Sequence, residues 1–131
     1  MAITDETRKI IFNKLKNQFD KICPPMVLDK FTEGKSVTII GNKPVPYGHK
    51  KEIVPGMYFV SVEQRKDSVV FYFFPAYMQE DAFTDHAPNL WKCLKGKTCF
   101  HFKKEEQVNE KELQAILKKG IQLWKKLEYL N

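Results

Sequence analysis

The sequence predicts an α+β fold in which N- and C-terminal helices pack on a mainly antiparallel sheet. Three observations lead to this prediction: capped amphipathic segments near both ends, an alternating segment joined by a polar turn to an apolar one, and a glycine turn that leads into an aromatic strand. The chain has 131 residues, ten of them phenylalanine, and this length suits a single domain over residues 1–131 with one hydrophobic core.

Two segments have the signals of a helix. Thr4 can cap the first one, which opens with Asp5 and Glu6 and is expected to end at the Pro24-Pro25 pair. Asn109 and Glu112 form an N-x-x-E capping signal for the second. The apolar residues of this last helix form one broad stripe: Leu113, Ile116, Leu117, Gly120, Leu123, Trp124, Leu127 and Leu130. Each helix is therefore expected to bury one face.

The middle of the chain predicts strands. Val37 to Ile40 reads as a short strand, and the stretch 43–49 with its two prolines is expected to be an irregular connection that either lines a cleft with Tyr47 or only crosses the surface. Met57 to Glu63 and Ser68 to Phe74 predict a hairpin. Since the second of these strands is apolar on both faces, it should be either a central strand covered on both sides or a strand that offers an apolar face to a partner.

The last strand follows a crossing. Pro75 should break the preceding strand, 79–85 should be irregular or briefly helical, and Pro88 to Leu94 should form a short helix closed by Gly96. In the strand that comes next, Phe100 and Phe102 share one face, and Cys99 and His101 share the other.

Charge and cysteine content indicate which partners and which cellular compartment to expect. The net charge is +6, but only Arg8 and Arg65 are arginines among the 22 basic residues, so we expect a solvated lysine surface and only weak, nonspecific nucleic-acid binding. The N-terminal stretch has no signal-peptide pattern, and no apolar run approaches the roughly twenty residues of a membrane span. We therefore expect a cytoplasmic protein whose three cysteines are reduced thiols.

Two groups of residues are candidate ligands. Glu80, Asp81, Asp85 and His86 follow the apolar strand, and their oxygen and nitrogen donors suit a weak, open metal site on a loop. Cys99 and His101, with Cys93 nearby in sequence, offer softer donors, but two ligands do not make a zinc site, and a partly buried thiol and a hydrogen-bonded histidine are the better interpretation. Together with Tyr47, Cys99 and His101 are the residues that we expect to face a ligand.

Two segments carry a family resemblance: Phe59 to Pro75, with the run Val69-Val70-Phe71-Tyr72-Phe73-Phe74-Pro75, and Leu94-Lys95-Gly96-Lys97-Thr98-Cys99-Phe100-His101-Phe102-Lys103. Together they resemble the YdhG-like family, over roughly residues 8 to 130. This resemblance implies a compact fold similar in outline to frataxin. Because some members are described as intracellular iron chaperones, it also implies iron as a weakly bound ligand.

The expected function is that of a small binding or carrier module without enzymatic activity. The sequence has neither a glycine-flanked serine nor a recognised cysteine signature, and Lys95-Gly96-Lys97-Thr98 lacks the first glycine of a phosphate-binding Walker loop. An alternative is an interaction domain that binds a second copy, or another cytoplasmic protein, without metal. A third interpretation is a weak anion or nucleic-acid binder.

Overall fold

The computed structural model describes residues 4–23, 26–47, 49–79, 81–95 and 99–130. Five strands form an antiparallel sheet in the order β1-β2-β5-β6-β7, and β3 pairs with β4 in a separate two-stranded sheet. This arrangement confirms the predicted α+β class. The helices are α1 (Asp5–Asp20), α2 (Phe74–Gln79), α3 (Asp81–Thr84), α4 (Pro88–Trp91) and α5 (Glu110–Lys126). The strands are β1 (Val27–Thr32), β2 (Ser36–Ile40), β3 (Val45–Tyr47), β4 (Glu52–Val54), β5 (Tyr58–Gln64), β6 (Val69–Phe73) and β7 (Cys99–Phe102).

Both predicted helix caps are present. The Thr4 hydroxyl accepts a hydrogen bond from the Thr7 amide at 3.1 Å, and the Asn109 side chain accepts one from the Glu112 amide at 3.1 Å. These contacts satisfy amide donors that the first turn of a helix cannot pair internally. Helix α1 ends at Asp20, and the Pro24-Pro25 pair that was expected to stop it lies outside the described residues.

The two terminal helices pack on one face of the sheet, which we call the inner face. The Phe71 ring of β6 lies 5.8 Å from the Phe19 ring of α1, and the Phe59 ring of β5 lies 5.5 Å from Trp124 of α5. All four of these side chains are fully buried. A Cβ on Gly120 would lie only 2.8 Å from the Phe59 ring, so this glycine lets α5 approach β5 closely. The core is therefore the layer between the sheet and α1 and α5.

The predicted central hairpin is also present. β5 and β6 pair antiparallel, and the Arg65 amide closes the turn on the Ser68 carbonyl at 2.8 Å. β6 has neighbours on both edges, and Phe71 and Phe73 fill the core below it. Its outer face carries Val70, which is fully buried, and Tyr72, which is half-buried.

The structure differs from expectation at four places. The stretch 43–49 contains strand β3, because a two-stranded ribbon has an outer edge where Pro46 needs no amide hydrogen bond. Phe74 begins α2 instead of ending a strand, and Pro75 is tolerated in that first turn. β1 and β4 had no sequence prediction: a register shift interrupts the alternation of β1, and β4 is only three residues long. The short helix at Pro88 is confirmed, whereas Gly96 lies outside the described residues.

Within the described ranges, no helix has the length and apolar character needed to cross a membrane.

Candidate functional site

The outer face of the sheet, opposite the terminal helices, is predominantly polar. Residues directly opposite each other on antiparallel strands point to the same face, so the pairing registers define two rows across all five strands. We call them the outer rungs. The first is Lys30, Thr38, Ser61, Tyr72 and Cys99. The second is Thr32, Ser36, Glu63, Val70 and His101. Except for Val70, each rung residue is half-buried or exposed.

A hollow of about 450 Å³ lies over the middle of the outer rungs. Its lining combines short hydroxyl side chains of β2 and β5 with larger side chains such as Gln64 and Tyr72. The residues that line it are Lys35, Ser36, Thr38, Ser61, Val62, Glu63, Gln64 and Tyr72. A hydroxyl both donates and accepts hydrogen bonds, so this lining can serve several kinds of polar ligand.

Arg65 lies beside the hollow and contacts two of its lining residues. It follows β5 directly, and its guanidinium Nη2 donates to the Tyr72 hydroxyl at 2.6 Å. The same nitrogen lies 3.7 Å from the Glu63 carboxylate. Arg65 therefore offsets the one carboxylate in the lining and holds the Tyr72 ring in place.

The outer face has an excess of positive charge near β7. The pKa of His101 is lowered below its ordinary value of 6.5, first by burial and then by the cations Lys95, Arg65 and Lys103. Burial raises the pKa of the Tyr72 phenol, while Arg65 opposes this shift. At neutral pH His101 is therefore an uncharged imidazole and Tyr72 a protonated phenol.

The structure brings Cys99 and His101 to this face but not Tyr47. Cys99 lies opposite Tyr72, and the His101 amide donates to the Cys93 carbonyl at 2.9 Å. The Cys93 side chain is buried, and burial raises the pKa of its thiol. Tyr47 packs edge-on against Tyr58, with ring centroids 5.4 Å apart, and does not line the hollow.

The structure describes the side chains of only two of the four predicted metal ligands. Asp85 and His86 are exposed in the turn after α3. Glu80 and the side chain of Asp81 lie outside the part of the chain that the structure describes. Among the side chains that it does describe, no group of three or more histidines, cysteines or acidic residues is arranged to hold a metal ion. The loop site that we expected from the sequence stays a prediction.

Sequence reasoning did not identify the hollow. Its signal is weak but present: Ser61 and Glu63 alternate with the apolar residues of β5, and Ser36 and Thr38 do the same in β2. The alternation predicts that each pair lies on a solvent-facing side of its strand. Only the pairing register shows that both pairs are neighbours on one face.

Comparisons with protein-family models, with curated proteins and with solved structures found no match to this chain. The YdhG-like resemblance and the frataxin-like outline therefore remain predictions from the two motifs.

Proposed function

We propose that this protein is a small cytoplasmic binding module, with no catalytic activity of its own, that holds a small anionic ligand in the hollow on the outer sheet face. The ligand class is a phosphate ester or a polycarboxylate. The observation that carries the proposal is the lining of the hollow, which includes a lysine, has Arg65 beside it and contains four residues with hydroxyl groups: Ser36, Thr38, Ser61 and Tyr72.

The chemistry of the lining favours an anion over a cation. Hydroxyl and amide groups of Ser, Thr, Tyr and Gln can all donate to phosphate or carboxylate oxygens. Lys35 adds an ammonium group and Arg65 a guanidinium, while the carboxylate of Glu63 is partly neutralised by Arg65. The depressed pKa of His101 supports the same charge preference, because three cations cause part of it.

The size of the hollow supports a small ligand. About 450 Å³ falls within the range of roughly 300–1,000 Å³ that is typical of small-molecule sites. The hollow is shallow and its walls are polar, so we expect modest affinity and broad selectivity among anions of similar size.

The test uses inorganic phosphate and citrate as probes at constant ionic strength. Binding is followed by backbone amide chemical shifts, and the amides of β2, β5 and β6 should move most. The double variant Lys35→Gln/Arg65→Gln should weaken binding by about tenfold or more, because two charge-assisted contacts are lost.

A charge-matched control separates a site from diffuse attraction. Lys118→Gln/Lys125→Gln removes the same charge from the exposed side of α5 and should leave affinity unchanged. Ser61→Val keeps every charge but places an apolar group in the lining of the hollow, and it should also reduce binding. The proposed site is contradicted if the two charge-removing double variants lose the same affinity, or if Ser61→Val binds as the parent does.

A further inference from the structure

β1 forms one edge of the five-stranded sheet, and all six of its residues are exposed. Three of them are large apolar side chains, with Val27 at 41%, Leu28 at 44% and Phe31 at 43% exposure. An edge strand offers unpaired backbone groups to another strand, and exposed apolar side chains beside them favour such pairing. β1 is therefore the part of the described surface that is best suited to strand addition.

A β-bulge changes which side chains of β1 point to the inner face. The register with β2 shifts between Leu28 and Lys30, so Asp29 is an extra residue on the β1 side. Leu28 lies opposite Ile39 and Phe31 lies opposite Val37, and both of these partners point into the core. Leu28 and Phe31 therefore share the inner face although they are three positions apart.

We propose that β1 pairs with β1 of a second copy of this chain, antiparallel, about a two-fold axis that passes between Asp29 and Lys30. In this register Leu28 lies opposite Phe31 of the second copy. Asp29 lies opposite Lys30 of the second copy, and the symmetry repeats each pair. Val27 and Thr32 form the outermost pairs, and both lie on the outer face because their β2 partners are Ile40 and Ser36.

The bulge favours a second copy as the occupant. A strand without an extra residue can match the faces of β1 on both sides only by leaving Asp29 without a partner, as β2 does. A second β1 carries the same extra residue, so the faces match on both sides and Asp29 also gains a partner. The charges agree as well, since each Asp29 meets a Lys30, whereas the register that pairs Lys30 with itself brings like charges together and places Leu28 against Thr32.

The expected association is weak. A single edge pairing buries little surface, and a bulge and a lysine on an edge strand both limit uncontrolled pairing. The Lys16 ammonium also lies 4.8 Å from the centre of the Phe31 ring and covers part of it. We expect a reversible dimer with a dissociation constant on the order of 10–100 μM.

The test is sedimentation velocity of the full chain across this concentration range. The native protein should shift from monomer to dimer mass, and a protein that stays monomeric at the highest concentration overturns the proposal. Asp29→Lys and Lys30→Asp should each lower the association constant by about tenfold, because each creates two like-charge pairs. The double variant Asp29→Lys/Lys30→Asp restores both pairs and should regain association. Loss in the single variants without recovery in the double variant overturns this register.

Two further variants test the apolar contacts of the proposed dimer. Phe31→Lys should abolish the dimer. Ile53→Lys is the control: Ile53 lies on the separate two-stranded sheet, its side chain is 68% exposed, and the variant should dimerise as the native protein does. Equal losses in both variants overturn the assignment to β1. Circular dichroism melts establish that each variant is folded. Hydrogen exchange of the native protein adds a measurement that needs no substitution, because the β1 amides should gain protection as concentration rises.

Discussion

At the scale of single residues, the pKa of His101 reflects its burial and the positive charge of the outer sheet face. Its side chain lies on the edge strand β7, opposite Val70, and burial together with Lys95, Arg65 and Lys103 lowers its pKa below 6.5. Burial disfavours the charged imidazolium and the nearby cations repel it, so the folded protein binds a proton at His101 less readily than the unfolded chain does. Folding and protonation are therefore coupled at this residue.

We predict that this coupling makes the protein less stable as the pH falls. Above pH 6.5 neither state is protonated at His101, and its pKa shift has no effect on stability. Below 6.5 the unfolded chain takes up the proton first, so the free energy of unfolding decreases until the pH reaches the lower folded-state pKa. Urea denaturation between about pH 7.5 and 5 measures this change.

His101→Gln should remove this part of the pH dependence, whereas His86→Gln, at an exposed position outside the sheet, should retain it. A His101→Gln protein with the same pH profile as the parent would show that another group causes the loss.

At the scale of secondary-structure elements, Glu112 joins two helices. Its carboxylate accepts hydrogen bonds from the Asn89 amide at 2.8 Å, the Leu90 amide at 3.0 Å and the Asn89 side chain at 2.5 Å, all at the start of α4. It also accepts one from Asn109 Nδ2 at 3.2 Å, at the start of α5. A short helix such as α4 has little stability alone, so this contact fixes its place on α5.

We predict that Glu112→Ala lowers the free energy of unfolding by about 2–3 kcal/mol, because it removes hydrogen bonds to a charged acceptor and leaves the donors of α4 without it. Glu112→Gln retains one acceptor oxygen and should lose less. Chemical denaturation gives both values, and Gln114→Ala, at an exposed position of the same helix, is the control and should be nearly neutral. A Glu112→Ala protein as stable as this control contradicts the role given to the carboxylate.

At the scale of the whole molecule, the net charge of +6 and the cations around the outer rungs favour anionic ligands. The iron-binding hypothesis from the family resemblance concerns a different region, the turn after α3, where Asp85 and His86 are exposed to solvent. The two ideas are independent, and each can fail without the other.

We predict that any ferrous iron bound by this protein is held weakly and requires Asp85 and His86. Titration with ferrous iron under anaerobic, reducing conditions should show saturable binding by the parent, which Asp85→Ala/His86→Ala should abolish without loss of the fold. Asp67→Ala/His49→Ala removes an equivalent exposed pair elsewhere and should bind as the parent does. Unchanged binding by the first double variant, or none by the parent, rejects this metal site.

The sequence by itself determined the features that depend on neighbours along the chain. Thr4 and Asn109 cap the terminal helices, and the polar turn at Arg65 joins the alternating strand β5 to the apolar strand β6, because capping, alternation and turn signals act within a few residues. Those elements were sufficient for the α+β class, since their apolar faces can be buried only against each other. Cys99 and His101 were likewise predicted to share a face.

Only the tertiary structure decided what occupies the outer face and the edge. Ser61 and Thr38 are distant in sequence and meet because β2 pairs with β5 in one register, and the sequence contains no local signal for that register. β1 and β3 were not predicted because a bulge and a proline obscure their alternation, and pairing with β2 and β4 stabilises them nonetheless. Cross-strand contacts depend on partners far along the chain, so the hollow and the exposed edge exist only after the sheet has formed.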